Sequence, residues 1–195
     1  VNVDLNAINF NKLQNFITNL NEQNRKDLFK VHKKINGKLN LSTNKVYSKY
    51  NLVKSFESRI KFINGNISIE QFLFNLGKLG ASDLIGIIEN DGKFTNLKFE
   101  KNIFIDNKKY FFSKFGIYNK KDISSNLFIS GNVDLVNLNL HIYEISESDD
   151  KKLNTNDINY VEKEFNEILF EDGYKSFFDF LKLKEYVQLV MDESD

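Results

Sequence analysis

Val136-Asn137-Leu138-Asn139-Leu140-His141-Ile142 sets an apolar residue against a polar one at every step. A period of two is the period of a β-strand, and a strand this regular is apolar on one side and wet on the other. The signal recurs upstream. Leu52, Phe56, Ile60 and Phe62 share one face, opposite Ser55, Glu57, Arg59 and Lys61. Leu97, Phe99, Ile103 and Ile105 share another, interrupted only by Lys101. Half-buried strands of this kind belong to antiparallel sheets. Asp91-Gly92, between the apolar runs 84–89 and 94–105, has the turn chemistry of a tight hairpin.

A short pattern of apolar residue, small polar residue, Gly, any residue and two alternating apolars occurs three times. It reads Ile35-Asn36-Gly37-Lys38-Leu39-Asn40-Leu41, Ile63-Asn64-Gly65-Asn66-Ile67-Ser68-Ile69 and Ile129-Ser130-Gly131-Asn132-Val133-Asp134-Leu135. Glycine inside a strand pattern marks a bulge, a bend or a close backbone approach. The expectation is a sheet of similar strands, each kinked where it begins; the unequal spacing excludes a strict solenoid.

Helical periodicity appears at the two ends. Phe10, Leu13, Ile17 and Leu20 recur at three- and four-residue spacing after Asn9, a suitable N-cap, which predicts a helix near 10–20. Ile158, Val161, Phe165, Ile168 and Leu169 form a second stripe, ended by Asp172-Gly173. Ser176 with Asp179 resembles a capping box for a last helix, whose apolar residues, Phe177 to Val190, cover more than one face. Between sheet and helices, Ser146-Glu147-Ser148-Asp149-Asp150-Lys151-Lys152 reads as a polar linker. Charge divides at the same place: residues 147–195 hold 14 acidic and 6 basic side chains, and residues 1–146 hold 13 and 21. The fold class is therefore α+β and β-rich. It is a twisted antiparallel sheet or meander, with an open β-groove among its forms, a short N-terminal helix and a C-terminal helical hairpin. The expected division is 1–146, a linker at 147–155 and a helical appendage at 156–195.

The 195 residues are 41% apolar and 28% charged, enough to bury a core in one domain with or without an appendage. Twenty-seven basic side chains balance twenty-seven acidic ones, which argues against a dedicated nucleic-acid binder. With no Cys there is no disulfide, thiolate metal site or thiol nucleophile. Proline is absent and Lys outnumbers Arg 25 to 2, a bias toward AT-rich codons that weakens arguments from lysine counts. No run approaches the roughly 18 apolar residues of a membrane span. The only Met is Met191, so the expectation is a processed chain or a piece of a longer one.

Catalytic and metal motifs are missing. His32 and His141 lie far apart without metal-ligand spacing, and His141 reads as a surface residue. There is no phosphate-binding glycine loop and no nucleophile elbow, and Gly77-Lys78-Leu79-Gly80 reads as a turn. Asp83, Glu89 and Asp91 cluster near a hairpin, where carboxylates ordinarily solvate the backbone. No enzyme, cofactor or metal is expected. Lys108–Lys121 interleaves five lysines with Tyr110, Phe111, Phe112, Phe115 and Tyr118 and contains no acid before Asp122. Such a segment suits buried aromatics with lysines reaching to water, an anionic membrane surface, or single-stranded nucleic acid.

The stretch from Ile63 to Ile69, Leu76-Gly77-Lys78-Leu79-Gly80-Ala81-Ser82-Asp83-Leu84-Ile85-Gly86, Asn90-Asp91-Gly92 and Ser130-Gly131-Asn132-Val133-Asp134-Leu135 resemble the C-terminal region of AsmA-like bacterial envelope proteins. The likeness is greatest to versions from AT-rich alphaproteobacterial genomes, and covers about residues 35–146. Phe170-Glu171-Asp172-Gly173-Tyr174 and the helix after it look like the tail of the same group. The resemblance implies a periplasmic segment of an inner-membrane-anchored protein, built as a groove of stacked strands with an apolar inner face. It also implies a role in phospholipid transport between membranes or in outer-membrane assembly, without catalytic residues.

On this reading the lipid-facing residues are Leu52, Phe56, Ile60, Phe62, Leu97, Phe99, Val136, Leu138 and Leu140. Membrane or partner contact falls to Tyr110, Phe111, Phe112, Phe115, Phe177, Phe178 and Leu181. The expected partners are phospholipid or a membrane surface and the remainder of a longer parent chain, with no nucleic acid. A rival reading is a structural domain that docks a protein partner through the C-terminal helices. Alternation alone fits a closed α+β core as well as an open groove.

Overall fold

Strand outweighs helix, 42% to 31%, as the period-two runs require. The computed structural model describes residues 1–48, 50–90, 94–120, 122–147 and 151–192, the last two without their side chains. The chain runs β1 (Asn2–Leu5), β2 (Ile8–Asn9), α1 (Phe10–Thr18), α2 (Glu22–Leu28), β3 (Gly37–Thr43), β4 (Val46–Tyr47), β5 (Ser55–Ile63) and β6 (Asn66–Asn75). A 3-10 turn (Gly77–Leu79), β7 (Gly80–Asn90), β8 (Thr95–Ile105), α3 (Lys108–Lys114), β9 (Ser125–Asp134), β10 (Asn139–Glu147) and β11 (Lys151–Lys152) follow. Then come α4 (Thr155–Glu164), a π-helical turn (Phe165–Leu169), α5 (Tyr174–Phe177) and α6 (Phe180–Asp192).

Nine strands make one open, twisted sheet in the order β1-β3-β5-β6-β7-β8-β9-β10-β11, while β2 and β4 pair apart from it. β1 lies parallel to β3, and every other neighbouring pair in the sheet is antiparallel. From β3 on, strand order follows chain order. The register aligns one face into four transverse rows. They are Gly37-Phe62-Ile67-Ile88-Leu97-Val133-Leu140, Leu39-Ile60-Ile69-Gly86-Phe99-Gly131-Ile142, Leu41-Ser58-Phe72-Leu84-Lys101-Ile129-Ile145 and Thr43-Phe56-Phe74-Ser82-Ile103-Leu127-Glu147. Within these rows the polar side chains are Thr43, Ser58, Ser82, Lys101 and Glu147. The other face carries Glu57, Arg59, Lys98 and Glu100, with Lys98 paired to Glu89 at 2.9 Å.

Two bulges keep the rows in phase. Glu70 is an extra residue on β6, so Ile69 and Phe72 face the same way although three positions apart. Tyr143 does the same on β10 for Ile142 and Ile145.

The three glycine-led repeats do not share one role. Gly37 opens β3. Asn64-Gly65 is the two-residue turn between β5 and β6, with φ of 50° and 90°, the left-handed pair that an Asn-Gly hairpin supplies. Gly131 lies inside β9, where a Cβ would come within 2.5 Å of the His141 carbonyl oxygen. The shared pattern reflects strand alternation around three unrelated backbone needs.

Other expectations are corrected. Leu52 precedes β5 and is on no strand. Val136 and Leu138 belong to the turn joining β9 to β10, not to the strand that carries Leu140 and Ile142. Asp134 Oδ1 accepts the Val136 and Asn137 amides at 2.9 and 3.0 Å, Leu138 has φ of 57°, and the Tyr174 hydroxyl donates to the Leu135 carbonyl at 2.8 Å. Burial of that hydroxyl pushes its pKa up to about 12. The 147–155 segment is not all linker, because Lys151 and Lys152 pair with Glu147 and Ser146 as β11. Ser176 does not cap the last helix: its hydroxyl accepts the Asp172 amide, and Asp179 takes the Leu181 amide at 2.7 Å. Asp91-Gly92 lies outside the described residues.

Helix α1 begins as expected, with Asn9 accepting the Lys12 amide at 3.1 Å. Asn9→Ala is expected to lower stability by about 1 kcal/mol in urea unfolding. The helix ends at Thr18, and Asn21 caps the separate α2. Phe10 stands edge-on to Phe56 and Phe74, 6.4 Å from each.

The far end of the sheet is closed by side chains. Asn166, on the π-helical turn, accepts the Leu140 amide at 2.8 Å and donates to the Leu140 carbonyl at 2.9 Å. Glu162 accepts the Ile142 amide at 2.8 Å. These contacts occupy the β10 edge where another strand would pair, and they dock α4 so that Leu140, Ile142, Ile145 and Val161 form a buried cluster.

Candidate functional site

The apolar face of the sheet is covered unevenly. Over β9 and β10, Ile158, Phe165, Tyr186 and Val190 pack on the buried cluster that includes Val161, with Phe99, Leu127, Ile129 and Val133 at its margin. Over β5 and β6 the cover includes Phe10. Leu84, Leu97, Lys101 and Ile103, on β7 and β8, keep part of their surface exposed. The whole molecule exposes 12033 Å², against about 9,600 Å² for a compact monomer of its mass.

Nine residues were expected to face lipid. Leu52, Ile60, Phe62, Leu97 and Phe99 remain part-exposed. Phe56, Val136, Leu138 and Leu140 are buried, Val136 to 1% exposure, so an acyl chain meets them only if the helices and the 135–138 turn lift away. Of the seven membrane or partner residues, Phe112 and Phe115 are buried, while Phe111 and Phe178 are half-buried. Phe111 packs against Phe112 and Phe115, and Phe115 stacks on Phe180. Tyr110, Phe177 and Leu181 are exposed, Leu181 to 66%. Residues 108–120 therefore divide between core aromatics and an exposed rim of Tyr110, Tyr118, Lys109, Lys114 and Lys120.

Lys101 is the one basic side chain in the four rows. Its cross-strand neighbours are Leu84 and Ile129, and Phe99 and Ile103 flank it along β8. No carboxylate or hydrogen-bond acceptor among the described residues meets its amine. Loss of water around it holds its pKa below the ordinary lysine value. The sequence flagged this residue only as a break in an apolar stripe.

The sign of the consequence follows from linkage. The unfolded lysine titrates near 10.5, above its folded value, so the charged amine destabilises the fold fully below the folded pKa. That penalty fades as pH rises toward 10.5. Lys101→Met is expected to be more stable than the wild type at pH 7, with the gap in urea midpoint narrowing as pH rises toward 10.5. A gap that does not change with pH would contradict the desolvation.

Elsewhere the surface offers little chemistry. A hollow of about 440 Å³ is lined by Glu22, Arg25, Val136, Asn137, Leu138, Phe170, Asp172 and Gly173, with both signs of charge. Another of about 620 Å³ lies over Lys30–Lys34. Neither is lined by a residue of the four rows. His141 is exposed and its Nδ1 lies 2.9 Å from Glu162. Among the described residues no group of three or more His, Cys, Asp or Glu is placed to hold a metal ion. None of the described helices is long and apolar enough to cross a membrane.

The chain matches no protein-family model, no curated protein and no solved structure. The functional reading therefore rests on the sheet itself.

Proposed function

We propose that this chain is a non-enzymatic, lipid-handling segment of an AsmA-like envelope protein, located in the periplasm. Its apolar sheet face contacts acyl chains during transport between membranes or assembly of the outer membrane. The observation that carries the reading is the open meander: four apolar rows run across consecutive strands, and β7 and β8 keep part of their apolar surface exposed. Burying that surface on a hydrocarbon chain is favourable by about 25 cal/mol per Å² and needs no specific polar group.

The test is photo-crosslinking to vesicles containing a labelled phospholipid, with the reactive residue placed at Phe62, Leu97 or Ile103 and, as controls, at Glu57 or Glu100 on the opposite face. Lipid adducts should form at the first set and not the second. Equal labelling of both faces, or none, ends the proposal.

A second reading has its own observation. Phe177, Leu181 and Leu189 are exposed on α5 and α6, an arrangement that suits a protein partner or the rest of a parent chain. Leu181→Lys would then abolish self-association measured by light scattering while leaving lipid crosslinking intact. A wild type that is monomeric at all concentrations removes self-docking from this reading.

A further inference from the structure

We propose that Lys101 binds the carboxylate of a single-chain anionic amphiphile, a fatty-acid-type ligand whose hydrocarbon tail lies along the exposed part of the apolar rows. This deepens the lipid-contact reading above and rests on it. The argument begins with position. Lys101 is in the row that runs Leu84-Lys101-Ile129, with Phe99 and Ile103 on either side along its own strand. A cation set among aliphatic and aromatic groups is costly unless an anion joins it.

Among the described residues no carboxylate meets the Lys101 amine. The one carboxylate in the four rows, Glu147, is engaged by Lys108 and by the Ser125 hydroxyl. Desolvation alone shifts the Lys101 amine, with no charged group offsetting it. An unpartnered polar group lies nearby: the Ser82 hydroxyl faces the same side from β7, opposite Ile103, and is buried without a hydrogen-bond partner. In an antiparallel sheet the diagonal from Lys101 to Ser82 spans about 7–8 Å between Cα atoms. That is within reach of one carboxylate placed between a hydroxyl and a lysine amine.

The chemistry of the neighbours selects the ligand. A carboxylate ends its molecule, so only two oxygens need partners, and an ammonium and a hydroxyl provide them. A phosphodiester carries polar groups on both sides of the charge, and these would be pressed against Leu84 and Ile129 with nothing to bond. One lysine also neutralises one carboxylate, leaving an uncharged pair in an apolar setting.

The experiment titrates the full chain with cis-parinaric acid and with its methyl ester, alongside vesicles of spin-labelled phosphatidylglycerol and phosphatidylcholine. The wild type should bind the acid about tenfold more tightly than the ester, the worth of one charge-assisted hydrogen bond. Lys101→Met should erase that preference without weakening ester binding, and Lys101→Arg should retain it. Met is apolar and unbranched, so the variant is expected to fold, and unchanged ester affinity verifies that it has. Equal affinity for acid and ester in the wild type, or a preference that survives Lys101→Met, overturns the inference. Phospholipid uptake without preference for the free acid overturns it too, and leaves the broader lipid reading standing. If acid, ester and phospholipid all fail to bind, both are lost.

Discussion

Gly80→Ala is expected to leave the chain unable to complete its sheet. Gly80 joins the 3-10 turn to β7 with φ of 123° and ψ of −141°, a region that is nearly closed to residues with a Cβ. The strain is joined by a collision. A Cβ there would come within 1.8 Å of the Phe104 carbonyl oxygen and 2.8 Å of its carbon, both backbone atoms of β8. No side-chain rotation relieves that overlap, so β7 must withdraw from β8 at its first pair, Gly80 with Ile105. The combined cost exceeds about 4 kcal/mol, a large part of the 5–15 kcal/mol that holds a typical domain together. Urea titration followed by far-UV circular dichroism should show a stability lowered by more than about 4 kcal/mol. Gly37→Ala is the control, because nothing lies within 4 Å of its Cβ position. A cooperative, near-native transition for Gly80→Ala would refute the geometry of the β7–β8 start.

Asn166→Ala is expected to undo the end of the sheet. The Asn166 amide both accepts from and donates to the Leu140 backbone, and Leu140 itself is buried. Removing the amide strands a buried N–H and a buried C=O at once, each costing about 1–3 kcal/mol when unpaired. The stability loss should be about 2–6 kcal/mol in urea. A second effect follows from exposing the β10 edge: unpaired strand edges recruit other strands. Light scattering should show larger species than the wild type forms. Glu162→Gln keeps the oxygen that accepts the Ile142 amide, so it should behave nearly as the wild type. Asn166→Ala that is as stable and as monomeric as the wild type would show that α4 does not protect this edge.

The strands were legible because most of their residues alternate between an apolar and a wet side, although Ile85 and Phe104 stand exposed on the wet one. Even the bulges leave a trace: Glu70-Gln71 and Tyr143-Glu144 are pairs that interrupt the alternation where the backbone gains a residue. The β9–β10 turn was not legible. Val136 and Leu138 continue an alternating pattern, yet they are apolar because the turn tucks beneath the C-terminal segment, with Leu138 Cδ1 3.3 Å from the Cβ position of Gly173. Tertiary cover overrode the rule that turns are polar. The docking pair Glu162 and Asn166 was also hidden, since polar residues in a helix carry no mark of the backbone they will meet. Of the candidate site, Lys101 announced itself only as an irregularity. Which apolar residues stay accessible depends on how the helices lie over the sheet, which no strand pattern encodes.

Because spatial order follows chain order from β3 onward, each new strand emerging from a ribosome finds its partner already in place. The segments that dress the sheet, α4 to α6, are made after all the strands. Until they arrive, the greasy side over β9 and β10 and the last strand's free rim stand bare together, so the interval before residues 155–192 emerge is when a nascent chain of this kind most needs a chaperone.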